Sequence, residues 1–185
     1  MYALPRQENI QPGFADGKDA YVSEASPGYK AGNVAYLYVA GSDTSDDFRA
    51  YLLFDVSGLP PTAVVTSAQL GLYHTDSSHS AISGPVGAFL VPGSWSESDI
   101  TWNEQPYSGG ILVDTQDVPA SVMNDFIYWN IDSLVQGWID GSINNHGVML
   151  KDTVESTSEG HKSFYSSDAG NPDKRPKLII EYYEP

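Results

Sequence analysis

Two tryptophans stand seven residues apart in WSESDITWNEQP (Trp95–Pro106), with Glu97, Asp99 and Glu104 around them. Sugar rings stack on flat aromatic faces, and glycosidases work with paired carboxylates. A retaining enzyme needs its two carboxyls ~5 Å apart, an inverting one ~6.5–9.5 Å. Chain spacing fixes no such distance, and these three are drawn from 24 acidic residues. As plain loop residues, the carboxylates are solvated or cap exposed backbone N–H groups. The tryptophans suit a corner better than a platform. A long connection crosses the end of a β-fold, a large ring plugs it, and the indole N–H bonds a backbone carbonyl.

No other set of residues reads as catalytic. There are no cysteines, hence no disulfide, thiolate metal site or cysteine nucleophile. His74, His79, His146 and His161 show no HExxH spacing, and surface or supporting roles are expected for them. No Gly-x-Ser-x-Gly elbow and no phosphate-binding glycine loop occurs. The expectation is a protein that is not an enzyme.

Binding chemistry is better represented. AYLYVAG (35–41) alternates Leu37 and Val39 with Tyr36 and Tyr38. RAYLLFDV (49–56) sets Ala50, Leu52, Phe54 and Val56 against Arg49, Tyr51, Leu53 and Asp55, and SAQLGLYHT turns Tyr73 away from Leu70 and Leu72. With the aliphatic side inward, Tyr36, Tyr38, Tyr51 and Tyr73 point out beside Arg49, and Lys30 lies in the preceding loop. Aromatic faces stack on sugars, and a guanidinium grips a uronate carboxylate in bidentate fashion. The same pattern also suits tyrosine pairs that only stabilise a sheet. Acid-rich turns offer oxygens for a structural calcium ion: Asp16 and Asp19, then Asp43, Asp46 and Asp47, then Asp168 and Asp173. Asp16, Asp19 and Asp168 are the favoured ligands. No EF-hand spacing is present, and solubilising loop charge accounts for the same acids.

These residues need elements to hold them. Period-two alternation recurs along the chain and is broken by turn clusters such as SGLPPT and DAGNPDKRP. Seventeen glycines and twelve prolines are spread throughout. One segment departs from the pattern: in NIDSLVQGWIDGS, Leu134, Val135, Trp138 and Ile139 recur at helical spacing. Asp132 or Ser133 is expected to cap that helix and Gly141 to end it. The fold expected is all-β, a jelly-roll-like sandwich of two antiparallel sheets with eight to ten strands and one short helix near 132–140. The 185 residues suit a single domain, with 1–12 as lead-in and 13–183 as the core module.

Charge narrows the partners. A formal net charge of −15 leaves nothing to neutralise a run of phosphates, so nucleic acid is not expected. No apolar run reaches the ~20 residues of a membrane span, and MYALPRQENIQPG lacks the apolar stretch of a signal peptide.

Several landmarks fall in a familiar order: GKDAYV, SPGYKAG before LYVAG, FDVSGLP followed by TSAQLGLY, WSESDITWNEQP, NIDSLVQGWIDG, NNHGVMLK, and FYSSDAGNPDKRPKLIIEYY. Their succession from about Gln11 to Tyr183 resembles the DNRLRE, or disaggregatase-related, domain family, some members of which are grouped as carbohydrate-binding modules for alginate. The resemblance implies a secreted or cell-surface β-sandwich that attaches a larger protein to polysaccharide without catalysis. It equally admits a structural or adhesive domain that binds neighbouring protein domains. Trp95, Trp102 and Trp138 belong to the shared framework. Where members often read Pro-x-x-Asn-Tyr-Gly, this chain has Lys30 and Ala31.

Overall fold

The computed structural model describes residues 4–42, 46–75, 83–107, 109–119, 121, 124–155 and 160–185. Among the described residues the alternation becomes eleven strands and one α-helix. In chain order they are β1 (Arg6–Ile10), β2 (Lys18–Ser23), β3 (Tyr36–Val39), β4 (Phe48–Leu53), β5 (Val64–Thr75), β6 (Gly84–Leu90), β7 (Leu112–Val118), β8 (Asp125–Asn130), α1 (Asp132–Asp140), β9 (Val148–Asp152), β10 (Lys162–Tyr165) and β11 (Lys177–Tyr183). Sheet A runs β1-β11-β5-β10-β3, with β8 on the other edge of β5. Sheet B runs β2-β4-β9-β6-β7. All pairings are antiparallel, and the two sheets form the β-sandwich the sequence predicts. The strand count exceeds eight to ten because edge strands such as β1 bury too little to alternate.

The parity read from the sequence holds in the core. Leu37 and Val39 of β3, Ala50 and Leu52 of β4, and Ala68, Leu70 and Leu72 of β5 are buried together between the sheets. Among the described residues, two buried polar contacts cross from one sheet to the other. Trp129 Nε1 of β8 donates to the Val86 carbonyl of β6 at 2.8 Å. Lys162 Nζ of β10 meets Asp152 Oδ2 of β9 at 2.6 Å, with neither side chain exposed.

Helix α1 packs Leu134, Val135, Trp138 and Ile139 inward and stops at Gly141, whose φ of 77° is the left-handed conformation glycine adopts freely. Its start differs from expectation. Ile131 is the capping residue and makes no side-chain bond. Asp132 lies inside the first turn, where its charge suits the positive helix end, and Oδ1 accepts the Ala68 N–H of β5 at 2.5 Å.

A second apolar cluster lies on the outer face of sheet B. Ala20, Val22, Tyr51, Phe89 and Met149 are covered there by Val91, Trp95 and Ile100, with Trp102 partly buried beside them. WSESDITWNEQP therefore roofs a sheet face instead of plugging the sandwich end. Trp95 Nε1 donates to the His146 carbonyl at 2.9 Å, the bond expected of an architectural indole. The loop before β3 packs against this roof closely enough that a Cβ on Gly32 would lie 2.0 Å from the Glu97 carbonyl oxygen.

Candidate functional site

The outer face of sheet A carries a continuous row of rings. Pairing sets which residues share that face. Tyr36 of β3 lies opposite Tyr165 of β10, Tyr73 of β5 opposite Phe126 of β8, and Gly71 between Tyr128 of β8 and Lys177 of β11. Ring centroids follow one another at 5.3 Å from Tyr36 to Tyr165, 5.8 Å to Tyr73, 5.3 Å to Phe126 and 5.9 Å to Tyr128. Four strands thus build one aromatic strip. Gly71 is what lets Tyr128 lie down on it, because a Cβ there would come within 2.7 Å of the Tyr128 ring. The Tyr73 hydroxyl donates to the Asn124 carbonyl and fixes the middle of the row.

Two ammonium groups sit on these rings. Lys174 Nζ is 4.7 Å from the Tyr73 centroid and 5.3 Å from that of Tyr165. Lys177 Nζ is 3.6 Å from the centroid of Phe126 and 5.5 Å from that of Tyr128. Among the described residues, neither lysine has a carboxylate within ion-pair distance, whereas Arg6, Lys30, Arg49, Lys151 and Lys162 all do. A strip of half-buried rings with two unpaired cations can stack sugar rings and hold a carboxylate between them.

The chain matches the model of carbohydrate-binding module family 96 over residues 12–182. It belongs to carbohydrate-binding module family 96. Among curated proteins none matches it.

Within this family 96 module the residues expected to bind from their outward parity are divided between three places. Tyr36 and Tyr73 lie on the strip, joined by Tyr165. Tyr38 leaves it and meets Tyr21 edge-on at 5.0 Å. Arg49 and Tyr51 are not exposed as expected: they retain 7% and 0% of their accessibility. Their parity was right, but they point out of sheet B under the tryptophan roof. The Tyr51 hydroxyl donates to Gln105 Oε1 at 2.9 Å. Arg49 grips Glu155 with Nε at 2.7 Å and Nη2 at 3.2 Å, and its guanidinium lies 4.2 Å from the Trp102 ring and 4.0 Å from the Tyr107 ring. Lys30 is exposed and held by Asp99 at 2.9 Å.

The strip's other members escaped the sequence reading. Phe126 and Tyr128 alternate with buried Ile127 and Trp129 in DFIYWN, a period-two signal that was there to be used. Lys174 and Lys177 come from KRPK, the densest cationic run of a very acidic chain, which reads only as a turn. Tyr165 follows Phe164 at the end of a four-residue strand too short to display its period.

The acidic residues divide too. Asp19 is buried, and its Oδ2 accepts the Ser167 N–H at 2.8 Å, while its own N–H donates to Glu97 Oε1 at 2.9 Å. Burial first, then the charges of Glu97 and Asp168, push its carboxyl up to about 7. Burial also raises Glu97 and Asp168. Asp16 does not join them; it is exposed and accepts the Gly13 N–H at 2.8 Å. Among the described residues, no group of three or more His, Cys, Asp or Glu is arranged to hold a metal ion. Asp99 is bound by Lys30, Ser96 and Ser98, and Glu104 is exposed. His74 is buried against Phe164 instead of lying at the surface. Asp43 and His79 lie outside the described residues.

Proposed function

We propose that this family 96 module is a non-catalytic, extracellular domain that attaches a larger secreted or surface protein to an acidic polysaccharide, with the glycan lying along the ring strip of sheet A. The observation that carries this reading is the pair of unpaired lysines over a five-ring row. In a chain of net charge −15, long-range repulsion disfavours an anionic polymer. Two local cations among stacking faces supply the attraction a uronate needs. The alginate relation of the resembling family points the same way.

Calorimetric titration with uronate oligosaccharides, with and without calcium, tests it. Micromolar to millimolar binding is expected, weakened by Tyr165→Ala and by the double change Lys174→Ala/Lys177→Ala. Lack of binding by every uronate oligomer sinks the reading, as does binding that the double variant retains in full. Incubation with polysaccharides should release no reducing ends.

A second reading, a structural or adhesive domain docking on neighbouring protein domains, draws on one feature. Ile111 and Leu112, beside the edge of sheet B, are 66% and 51% exposed. Light scattering on the domain alone and joined to a neighbour would separate it from the first.

A further inference from the structure

A second group of rings lies away from the strip, where β3 leaves sheet A and the Ala40–Phe48 bridge ties it to β4. Tyr21 of β2 is its centre. Its ring is 5.0 Å from Tyr38, 5.8 Å from Phe48 and 6.1 Å from Tyr29, the last tilted by 42°. Tyr21, Tyr29, Phe48, Ser23 and Ser26 line an open cleft of about 240 Å³. That is smaller than the ~300–1,000 Å³ of pockets for drug-sized ligands, and suits one ring. A turn shapes its rim: Tyr29 N–H donates to the Ser26 carbonyl at 2.9 Å, and Ser26 N–H donates to Ser23 Oγ at 3.3 Å. Tyr29 stays 47% exposed, so one aromatic wall faces the solvent. His161 lies behind Phe48, its ring centre 4.5 Å away and tilted by 57°.

The electrostatics oppose those of the strip. Among the described residues, no lysine or arginine stands over Tyr21, Tyr29, Tyr38 or Phe48. Lys30, next in the chain to Tyr29, is already engaged by Asp99. The flank is acidic. Asp46 Oδ2 is 3.7 Å from His161 Nε2, and Glu24 N–H donates to the Asp47 carbonyl at 2.9 Å, which sets Glu24 and Asp47 beside the Ser23–Phe48 pair. Burial raises Asp47 to about 6, with Glu155 and Glu24 adding to the push. Burial likewise pushes the Tyr21 phenol up to about 12, so it stays a neutral donor and acceptor. Among the described residues, an anionic sugar would meet carboxylates here and no unengaged lysine or arginine over the rings.

We propose that this cleft is a second glycan site, one that takes a single uncharged pyranose unit. The exposed face of Tyr29, backed by Tyr21 at 6.1 Å, stacks on the sugar ring, and the hydroxyls of Ser23, Ser26 and the two phenols exchange hydrogen bonds with it. The module then carries two sites of different charge preference, and can tie an acidic chain on sheet A to a neutral one at the edge. The assignment stands on the cleft alone, whether or not the strip takes a uronate.

The test follows the aromatic ring signals of the intact domain by NMR. Uncharged gluco-, manno-, galacto- and xylo-oligosaccharides, a glucosamine trimer and a uronate tetramer are each added. At least one uncharged oligomer is expected to shift Tyr21, Tyr29 and Phe48 while leaving Tyr73 and Tyr165 in place. Tyr29→Ala, on an exposed ring, should weaken that binding about tenfold or more and leave the melting temperature unchanged. Lys174→Ala/Lys177→Ala should leave it unaltered. The proposal is overturned if no uncharged oligomer shifts these rings, or if the uronate shifts them equally well. Glucosamine as the sole binder, or full affinity in Tyr29→Ala, overturns it too.

Discussion

The Lys177 ammonium stands 3.6 Å from the centre of the Phe126 ring. A cation in that position covers a face that a sugar would otherwise stack on. Binding on the strip therefore exchanges a cation–π contact, worth ~0.5–1 kcal/mol at an exposed site, for a charge-assisted bond worth ~1.5–3 kcal/mol. The exchange is favourable only for a ligand that brings an anion, so Lys177 acts as a filter for charge.

Lys177→Gln should then lower uronate affinity by about 1–2 kcal/mol, roughly 5–30-fold. Stability should fall by no more than ~1 kcal/mol, the cation–π contribution. Raising salt should weaken the parent more than the variant, because the variant has one cation fewer to screen. Calorimetric titrations at two salt concentrations and a thermal melt decide it. Equal salt dependence in both would show that the lysine does not touch the ligand.

Tyr51 offers the opposite test, since it is a tyrosine that outward parity marks as a binder and that the structure buries completely. Tyr51→Ala should behave as a large-to-small core change costing about 3–5 kcal/mol. Tyr51→Phe should cost ~1 kcal/mol, because Arg49 Nη1 still donates to the same Gln105 oxygen at 3.1 Å. Neither should alter glycan affinity once corrected for the folded fraction. Urea denaturation beside a titration checks both halves.

The same residue shows where sequence reading stopped. Period-two parity assigned faces correctly on β3, β4 and β5, because each strand spans several residues and one side is aliphatic. Parity says which side a residue leaves by, and nothing about what lies there. Part of the long connection between β6 and β7, Val91 to Trp102, roofs Tyr51, while the face that carries Tyr73 stays open. The strip itself needed β3, β10, β5 and β8 to be neighbours, and β10 and β8 stand far from β3 in the chain. Tyr36 and Tyr73 could be proposed; Tyr165 between them could not. At the helix, Gly141 was legible because its conformation is local, whereas the use of Asp132 was not, because its partner Ala68 lies 64 residues away.

Stability should fall as pH rises from about 4 to 8. Asp19, buried and raised to about 7, holds its proton in the folded state over a range where an unfolded aspartate, near ~3.9, has lost it. The folded state thus binds more protons, and its advantage, complete below ~4, is gone once pH passes ~7. Asp47, raised to about 6, adds in the same direction. Glu155, lowered mainly by its bonds to Arg49 and Lys151 against burial, acts oppositely, but only below the ordinary carboxylate range. Melting temperatures across this range should decline, and Asp19→Asn, which still accepts the Ser167 N–H, should flatten the decline. A slope unchanged in Asp19→Asn would place the effect elsewhere.

Lys162 and Asp152 form the charged contact that joins the sheets behind the strip, one strand position from Ser163 and two from Phe164. Lys162→Met removes one charge and leaves the other in an apolar interior. Breaking a buried pair this way costs about 3–5 kcal/mol. The double variant Lys162→Met/Asp152→Asn should recover much of that loss. It discards both charges, and the asparagine can still accept the Val154 N–H that Asp152 Oδ1 now takes at 2.9 Å. If the pair only balances its own desolvation, the double variant will melt close to the parent. If it also fixes how β10 sits on β9, the double variant will melt normally yet bind glycan less well, because Tyr165 at the end of β10 loses its place between Tyr36 and Tyr73. Denaturation curves and titrations on the two variants separate these outcomes. A single variant as stable as the parent would show that Asp152 takes up a proton or a new partner when its lysine is gone.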